Sequence, residues 1–321
     1  MSQWGVRQSA EFESQMTSVE RIVEYQDLDQ EASADSKSYQ NLKDWPNIGI
    51  IEFDHMNLTY GKNEKDNKLV LKNINCIING GEKIGIVGRT GAGKSSMIAA
   101  LFRLTEFTGY IRIDGFNIQS IGLDNLRKKI SIIPQDPVVF TGTVRYNLDP
   151  FNEYSDNELW EALDEVQLKT TVENFCAKLD SKLSESGANL SVGQRQLICL
   201  ARALLRRNKV LILDEATANV DHQTDLLIQK TIRSEFANCT VLTIAHRLNT
   251  IIDCDRVMVL DAGEIIEFDS PYQLLKRRNK FYDMCKKTGP IMFAHLYQMA
   301  KRSHGKSVTK EKEQTAGVHV T

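Results

Sequence analysis

A glycine-rich stretch between two apolar segments constrains the fold of this chain more than any other feature. Residues 88–95 read Gly-Arg-Thr-Gly-Ala-Gly-Lys-Ser and fit the pattern G-x-x-x-x-G-K-[ST]. Lys83–Val87 is predicted to be a short buried strand and Ser95–Leu104 a helix, which is the context that this pattern requires. A glycine-rich turn that binds nothing is the alternative, but it does not explain the strand and the helix. The stretch therefore predicts an α/β fold with a phosphate-binding loop.

The chemistry of this loop follows from its residue types. Glycines let the backbone turn its N–H groups inward as an anion nest, and the start of the following helix adds partial positive charge. Lys94 can reach the outer phosphates of a nucleoside triphosphate, and the Ser95 hydroxyl can ligate Mg²⁺. The residues predicted to contact nucleotide in this stretch are Gly88, Arg89, Thr90, Gly91, Ala92, Gly93, Lys94, Ser95 and Ser96.

Composition excludes several classes of protein. The 321 residues suit one large domain or two modest ones, and the formal net charge of −2 gives no reason to expect a nucleic-acid partner. The six cysteines form no C-x-x-C pair, which argues against a zinc site or a disulfide framework. We find no signal-peptide pattern and no run approaching the roughly 18 apolar residues of a membrane helix. The chain as given is therefore not expected to span a bilayer.

Periodicity divides the chain into three parts. Residues 1–47 are predicted to be a helical lead-in and linker, with a helix over Glu11–Asp29. Residues 48–287 alternate strands with helices, which predicts a largely parallel sheet covered by helices, with a helical subdomain inserted at about 136–205. Residues 288–321 form a tail whose polar end is expected to be disordered.

An acid pair follows the apolar strand predicted at Val210–Leu213. Ligands of open α/β sheets bind at the carboxyl ends of the strands, so Asp214 and Glu215 should face the phosphate loop. Asp214 can hold Mg²⁺, and Glu215 can polarise a water for attack on the γ-phosphate. Alone, the pattern also fits a strand that reaches a solvated turn. Together with the phosphate loop it indicates a hydrolytic site.

A second helix start carries Leu190, Ser191, Val192, Gly193 and Gln194 and leads into a predicted helix that ends at Arg206. A serine and a glycine at this position can form another anion site. An ordinary N-cap, with Ser191 and Gln194 as a capping box, is the alternative. Taken in isolation, the local pattern favours the cap.

In combination, the motifs resemble those of ATP-binding cassette (ABC) ATPases over roughly Ile48–Lys287. The other family motifs follow in order, namely Tyr60 as the adenine-stacking aromatic, Gln135 as the Q-loop glutamine, Asp221 in the D-loop and His246 as the switch histidine. Each has an ordinary reading as a loop, capping or half-buried residue, and the resemblance depends on six motifs in the right order. It implies an ABC-type P-loop NTPase fold, with a mixed sheet, an antiparallel β subdomain and an inserted helical subdomain.

Tyr146–Phe151 and the valine of Ser191–Gln194 resemble the second cassette of the C subfamily, the multidrug resistance-associated transporters. Residues 5–10 resemble the stretch that follows the last membrane helix in that subfamily. The resemblance implies as partners a first cassette and transmembrane domains, and a position at the cytoplasmic face of a membrane, the plasma membrane by analogy. Unlike those transporters, this chain has no membrane helix, and a chain expressed alone is expected in the cytosol.

The resemblance also implies roles and cofactors. ATP and Mg²⁺ are the expected cofactors. Glu215, His246 and Gln135 are the expected catalytic residues, and Ser95, Gln135 and Asp214 the expected metal ligands. Residues 190–194 should serve an ATP bound by the partner cassette. Val192 stands where a glycine is usual, so that shared site should be weakened and should mainly hold ATP, whereas the site on this chain hydrolyses it.

Two other functions stay open. One is a soluble cassette ATPase acting on ribosomes or DNA, but the chain has neither a second cassette nor room for a coiled coil before Leu190. The other is a catalytically poor regulatory or decoy cassette, which the intact Glu215 and His246 argue against. The expected transport cargo, organic anions or drugs, is implied by the resemblance alone.

Overall fold

The structure is a computed structural model that describes residues 2–28, 30–34, 44–60, 68–245 and 247–317. Contacts divide the chain into two units, Met1–Ala34 and Asp35–Thr321. The first unit consists of helix α1, Ser2–Gln26, whose described side chains are exposed. Helix α1 begins before the predicted start at Glu11. The glutamines, arginine and alanine that precede Glu11 have high helix propensity, although they add little to the apolar face on which the prediction was based.

The second unit alternates strands and helices. Its strands are β1 Ile51–Leu58, β2 Leu71–Ile78, β3 Lys83–Gly88, β4 Phe107–Ile113, β5 Phe116–Asn117, β6 Ile130–Ile133, β7 Gly142–Thr143, β8 Lys182–Leu183, β9 Val210–Asp214, β10 Thr240–Ile244, β11 Arg256–Asp261 and β12 Glu264–Asp269. Its helices are α2 Lys94–Leu101, α3 Leu123–Lys129, α4 Val144–Leu148, α5 Asp156–Glu165, α6 Lys169–Glu173, α7 Val192–Arg206, α8 His222–Glu235, α9 Pro271–Arg277, α10 Lys280–Lys286 and α11 Pro290–Gly317.

The strands form a large central sheet and a smaller antiparallel one. The central sheet has the order β12-β11-β3-β10-β9-β6, and each pair in it is parallel except β11 with β12. The smaller sheet has the order β2-β1-β4-β5 and is antiparallel throughout. The predicted mixed, mostly parallel sheet with an antiparallel β subdomain is thus confirmed.

Apolar residues fill both faces of the central sheet. Strand β9 is buried from Val210 to Leu213, and the continuous apolar run is what a strand covered on both faces requires. On one side, α2 packs between the two sheets through Met97 and Leu101. On the other, the helices of residues 144–206 and α8 share a second core. The predicted inserted helical subdomain corresponds to this layer.

Residues 45–50, here called the strap, fasten the start of the domain to both sheets. The indole Nε1 of Trp45 donates to the carbonyl of Ile113 at 2.9 Å. The Asp114 carboxylate accepts from four consecutive strap amides, those of residues 47–50. From the central sheet, the buried Thr240 hydroxyl donates to the carbonyl of Gly49 at 2.7 Å. The folded part therefore begins slightly before the predicted boundary at residue 48.

Helix α11 covers the first part of the predicted tail. Leu296 and Ala300 are buried in a third core with α9 and α10, so this end of the helix is packed. The backbone is helical as far as Gly317, where lysine, glutamate and glutamine supply helix propensity. The polar end predicted to be disordered, residues 301–321, is therefore helical from Lys301 to Gly317, and residues 318–321 lie outside the described residues. Within the described ranges, no helix combines the length and the apolar character needed to cross a membrane.

Candidate functional site

The central sheet aligns the motifs along one edge. Ile86 of β3 is in register with Ile244 of β10, which is in register with Asp214 of β9. On the far side of β9, Leu213 is in register with Ile133 of β6. Because these strands are parallel, the phosphate loop, the acid pair and the segment carrying Gln135 all leave the sheet at its carboxyl edge. Neighbouring strands lie about 4.8 Å apart, so β3 and β9 are separated by about 10 Å.

The phosphate loop needs its glycines for backbone geometry and for close packing. Gly93, at the start of α2, has a φ of 105°, and a Cβ there would lie 2.5 Å from Leu71 Cδ2. A Cβ on Gly88 would lie 2.4 Å from the carbonyl oxygen of Leu260. Only glycine satisfies both conditions without movement of the neighbouring strands. The loop is therefore wedged between β2 and β11 and presents the N-terminus of α2.

Lys94 is almost wholly buried, yet its ammonium remains at the loop. The Nζ donates to the carbonyl of Gly88 at 3.0 Å and to that of Arg89 at 3.3 Å. These bonds hold the cation inside the ring of loop amides, where an incoming phosphate would meet it. Ser95 is exposed at the N-terminus of α2, with its hydroxyl on the solvent side.

Tyr60 is brought to the same helix from the other sheet. Its hydroxyl donates to Ser96 Oγ at 3.0 Å, and 59% of the residue is exposed. The phenol is thus tethered at one end while most of the ring is accessible. Residues 61–67, which follow Tyr60, lie outside the described residues. An exposed, tethered ring beside the phosphate loop is suited to stacking on a base.

Glu215 sits at a strained position directly after β9. Its φ is 49°, in the left-handed region that disfavours residues with a Cβ and costs of the order of 1–2 kcal/mol. Its backbone N–H donates to Ile244 at 3.0 Å, and its carbonyl accepts from Ala218 at 2.9 Å. These bonds hold the bend and turn the half-buried side chain away from the direction of the strand.

Gln135 is exposed just beyond β6, in the segment that continues past Pro134. The carbonyl of Pro134 accepts a hydrogen bond of 2.9 Å from the side chain of Gln196, which belongs to α7. Sequence reasoning did not single out Gln196, because its partner lies far away in the chain. Its one signal was a polar residue on the buried face of an amphipathic helix.

The helix start at Ser191 is a capping box, as the ordinary reading predicts. Ser191 Oγ accepts from the Gln194 amide at 3.1 Å, and Gln194 Oε1 accepts from the Ser191 amide at 2.9 Å. As a hydroxyl that accepts in the cap, Ser191 keeps a hydrogen to donate outward. Leu190 is buried, whereas Ser191 and Val192 are exposed. The cap thus leaves this helix N-terminus open to another molecule.

Gly193 has a role within the chain that the sequence did not predict. A Cβ at this position would lie 3.1 Å from Thr224 Oγ1 and 3.3 Å from Asp221 Oδ1. Asp221 in turn caps α8, accepting from the Thr224 amide at 3.0 Å and from its hydroxyl at 2.8 Å. These hydrogen bonds, first that of the amide, hold the pKa of Asp221 below its usual value. The first turns of α7 and α8 are therefore in close contact.

His246 lies outside the described residues, but the flanking residues are fixed. The Ala245 amide donates to Ile86 of β3 at 3.3 Å. Arg247 Nη2 donates to the carbonyl of Ala218 at 3.3 Å, and its Nη1 lies 3.7 Å from Asp225 Oδ2. Ala245 and Arg247 therefore lie just beyond β10, at the same carboxyl edge as the acid pair.

Comparison with known proteins decides the family. A model described as ABC transporter matches residues 71–218. Over 303 residues, 94% of this chain, the sequence is 58% identical to mouse ATP-binding cassette sub-family C member 4. This chain belongs to the ABC transporter family. The cassette also matches the probable multidrug resistance-associated protein lethal(2)03659 of Drosophila melanogaster, with 54% identity over 306 residues and 94% of the chain.

These relatives confirm the predicted membership of sub-family C. They also confirm the predicted likeness of the chain to multidrug resistance-associated protein number four, which is sub-family C member 4. The cassette spans 23% of the mouse protein and 22% of the Drosophila protein.

Among solved structures, the cassette resembles a bacterial Atm1-family ABC exporter with ATP bound. The TM-score is 0.76 and the sequence identity 29%, over 86% of this chain and 48% of the exporter chain. The predicted ABC-type fold is confirmed.

The side chains predicted to hold a metal carry oxygen donors, which is the ligand type that Mg²⁺ prefers. Within the described residues, no group of three or more histidine, cysteine, aspartate or glutamate side chains could hold a metal ion. A hydroxyl, a carboxylate and a side-chain amide, from Ser95, Asp214 and Gln135, are oxygen donors and too few to form a cage. Mg²⁺ is commonly held in this way, by a few protein oxygens together with phosphates and water.

Proposed function

We propose that this chain is the ATP-binding and ATP-hydrolysing cassette of a transmembrane exporter. The convergence of the phosphate loop, the acid pair and the Gln135 segment at one carboxyl edge carries the proposal. The cassette would bind ATP on the loop at residues 88–96, with Tyr60 against the adenine. Lys94 and the loop amides would balance the charge of the phosphates.

Magnesium would be held at the same edge by Ser95, Asp214 and Gln135. When bound, it would neutralise charge that develops on the phosphate oxygens. The protein's part is to hold the three oxygen donors on separate rigid elements, which are α2, β9 and the segment after β6. Asp214 still belongs to the strand, so its position is set by the ladder to β10.

Glu215 would act as the base that orients and deprotonates the attacking water. Its place at the carboxyl end of β9, directly after Asp214, supports the assignment. His246, after β10, would contact the γ-phosphate from the next strand. Asp221, at the start of α8, would join the site through the D-loop.

A second cassette would complete the site. Ser191 is exposed, so its hydroxyl and the N-terminus of α7 are open to another molecule. They would donate to the γ-phosphate of an ATP carried by the partner, and the partner would return the same contact. Val192 is also exposed there and would narrow the approach of that phosphate.

An exposed apolar surface supports docking to transmembrane domains. Val138, Phe140, Tyr146 and Phe151 each expose about half or more of their surface and follow Gln135 along the chain. Exposed aromatics in one region mark interaction surfaces. The bound transporter would place the cassette at the cytoplasmic face of the plasma membrane, and its cargo would be organic anions or drugs.

The decisive experiment measures ATP hydrolysis against the concentration of the purified chain. A site completed by a second cassette predicts a low rate per chain when dilute and a rising rate as cassettes pair. Addition of a first cassette from a sub-family C transporter should raise the rate further. A fast rate that does not depend on concentration would contradict the shared site. ATP binding without turnover under every condition would instead indicate a regulatory cassette.

A further inference from the structure

Gln196 is a fully buried polar residue that the mechanism above does not use. It lies in the second turn of α7 and has no exposed surface. Its Nε2 donates to the carbonyl oxygen of Pro134 at 2.9 Å. Among the described residues, its Oε1 has no hydrogen-bond partner. The unpaired Oε1 has a desolvation cost that an apolar side chain would avoid, so the bond to Pro134 is what the buried amide contributes.

That bond acts on the peptide unit that precedes Gln135. The carbonyl of Pro134 and the N–H of Gln135 belong to the same planar group. Fixing the oxygen therefore fixes the orientation of the plane from which Gln135 extends. Gln135 itself is exposed and leaves the sheet after β6, so little else in its own segment determines its direction.

A second residue of α7, Arg202, holds the rest of the segment. Arg202 Nη1 donates to the carbonyl of Val138 at 2.7 Å, and its Nη2 donates to Asn147 Oδ1 at 2.9 Å. Asn147 Oδ1 also accepts from the Phe140 amide at 2.8 Å. The segment from Pro134 to Phe140 is thus bonded to α7 near both of its ends and must follow when this helix moves.

We propose that Gln196 is a positioning residue that links the start of α7 to the metal-binding side chain of Gln135. Helix α7 begins at the Ser191 cap, which would contact the partner's ATP, and Gln196 is one turn further on. A shift of α7 on engaging that ATP is passed through Gln196 to the metal ligand of the ATP bound on this chain. The inference rests on the proposed function, because it requires Gln135 to be a magnesium ligand.

A double-mutant cycle tests the link through binding and not turnover. The measured quantity is the ratio of ATP affinity in saturating Mg²⁺ to ATP affinity in EDTA, for the wild type, Gln196→Met, Gln135→Ala and the double variant. Methionine keeps the length of the side chain and removes the donor. Loss of an outer partner of a metal ligand typically costs about tenfold or more in metal affinity, so each single change should lower the ratio by about that factor.

The double variant decides between positioning and packing. If Gln196 acts through Gln135, the double variant has the ratio of Gln135→Ala alone, and the two effects do not add. Additive losses, or an unchanged ratio in Gln196→Met, would overturn the proposal. If the wild-type ratio of the two ATP affinities is itself near one, Mg²⁺ does not contribute to ATP binding. That result would contradict the magnesium site of the proposed function and is distinguishable from a failure of the link through Gln196.

Asn208→Leu is the matched control. Asn208 is also a buried amide that donates to a carbonyl, that of Lys128 at 2.9 Å, but this carbonyl lies before β6, away from Gln135. The control should lower the melting temperature without changing the ratio. An equal change of the ratio in Asn208→Leu would show that loosening β6 suffices and would refute a specific role of Gln196.

A measurement on the wild type does not depend on folding of the variants. Hydrogen exchange should show residues 133–138 and 192–198 gaining protection together when Mg²⁺ and ATP are added. Protection of one segment without the other would contradict the link.

Discussion

The backbone N–H of Glu215 donates a hydrogen bond of 3.0 Å to the carbonyl oxygen of Ile244. It continues the ladder between β9 and β10 by one residue past the end of the strand, although φ at Glu215 is already 49°. The main chain of Glu215 is therefore held by its neighbour strand, and its carboxylate can be changed without loss of this bond.

Replacement of that carboxylate should separate binding from turnover. Glu215→Gln keeps the shape and the backbone bonds, so ATP affinity should stay within about twofold of the wild type. Loss of a general base should lower the hydrolysis rate by about 10²–10⁴-fold. Phosphate release and nucleotide titration measure the two quantities, with Glu173→Gln, an exposed carboxylate on α6, as control. Unchanged phosphate release would remove Glu215 from the mechanism.

Lys94→Ala should weaken ATP binding directly. The ammonium lies inside the phosphate loop through its bonds to Gly88 and Arg89. Hydrogen bonds to charged groups contribute about 1.5–3 kcal/mol, which corresponds to about 10- to 150-fold in the dissociation constant. A nucleotide titration measures the loss, and Lys182→Ala on an exposed strand should leave affinity unchanged. Tight binding by Lys94→Ala would show that phosphate is held elsewhere.

His246→Ala should slow hydrolysis and spare affinity. Ala245, which precedes His246 in the chain, donates its amide to Ile86 of β3 just beyond the end of β10. If the histidine contacts the γ-phosphate mainly in the transition state, its loss should reduce turnover by about 10²-fold or more. His295→Ala, at an exposed position of α11, is the control in the same two assays. A large loss of affinity would mean that His246 holds the ground state.

Gly93→Ala and Gly91→Ala separate packing from backbone conformation. Both glycines have positive φ, 105° and 80°, but only a Cβ on Gly93 meets a neighbour, Leu71 Cδ2 at 2.5 Å. Both variants should lose free energy of unfolding because alanine disfavours a positive φ. Gly93→Ala should lose about a further 1–3 kcal/mol because its Cβ overpacks the site. Urea denaturation without nucleotide measures the difference. Equal losses would show that Leu71 moves aside freely.

Asp221→Asn should change how steeply the free energy of unfolding falls at acid pH. The hydrogen bonds from Thr224 lower the pKa of Asp221 in the folded state, so its charged form stabilises the fold at pH values above its usual pKa. That contribution is lost as pH falls from about 4 through the lowered pKa. Asparagine still caps α8 but does not titrate, so the variant should lose less stability between pH 5 and pH 2. Thermal melts across this pH range measure the loss of stability, with Glu173→Gln as control. The same loss in Asp221→Asn and in the wild type would show that Asp221 does not contribute to the pH dependence.

Local patterns were sufficient to predict many elements of the core, although strand β12 and helices α9 to α11 were not predicted. The apolar run before Asp214 and the amphipathic segment that ends at Arg206 each gave the element within a residue of its bounds. Their information is local, in residue type and period. The two-residue strands β7 and β8 were missed because their pairing depends on segments far apart in the chain, and no pattern fits in two residues.

In the site, too, features that depend on the local sequence could be predicted, whereas contacts between distant segments could not. The phosphate loop, Asp214 and the segment carrying Gln135 lie at the carboxyl edge of the parallel strands, and the catalytic roles of the motif residues stay predictions. The contact of Gly193 with Thr224 and the bond from Gln196 to Pro134 could not be predicted. Each depends on the angle at which α7 crosses its neighbours, and that angle follows from packing over the whole layer.

The strap has a mechanical consequence for the rest of the molecule. Asp114 grips it from the antiparallel sheet and Thr240 from the central one, both within the few residues around Gly49. A pull exerted on the chain ahead of Trp45 would therefore load hydrogen bonds to both sheets at once. Tension arriving from that direction would be shared between the two sheets and not borne by one of them alone.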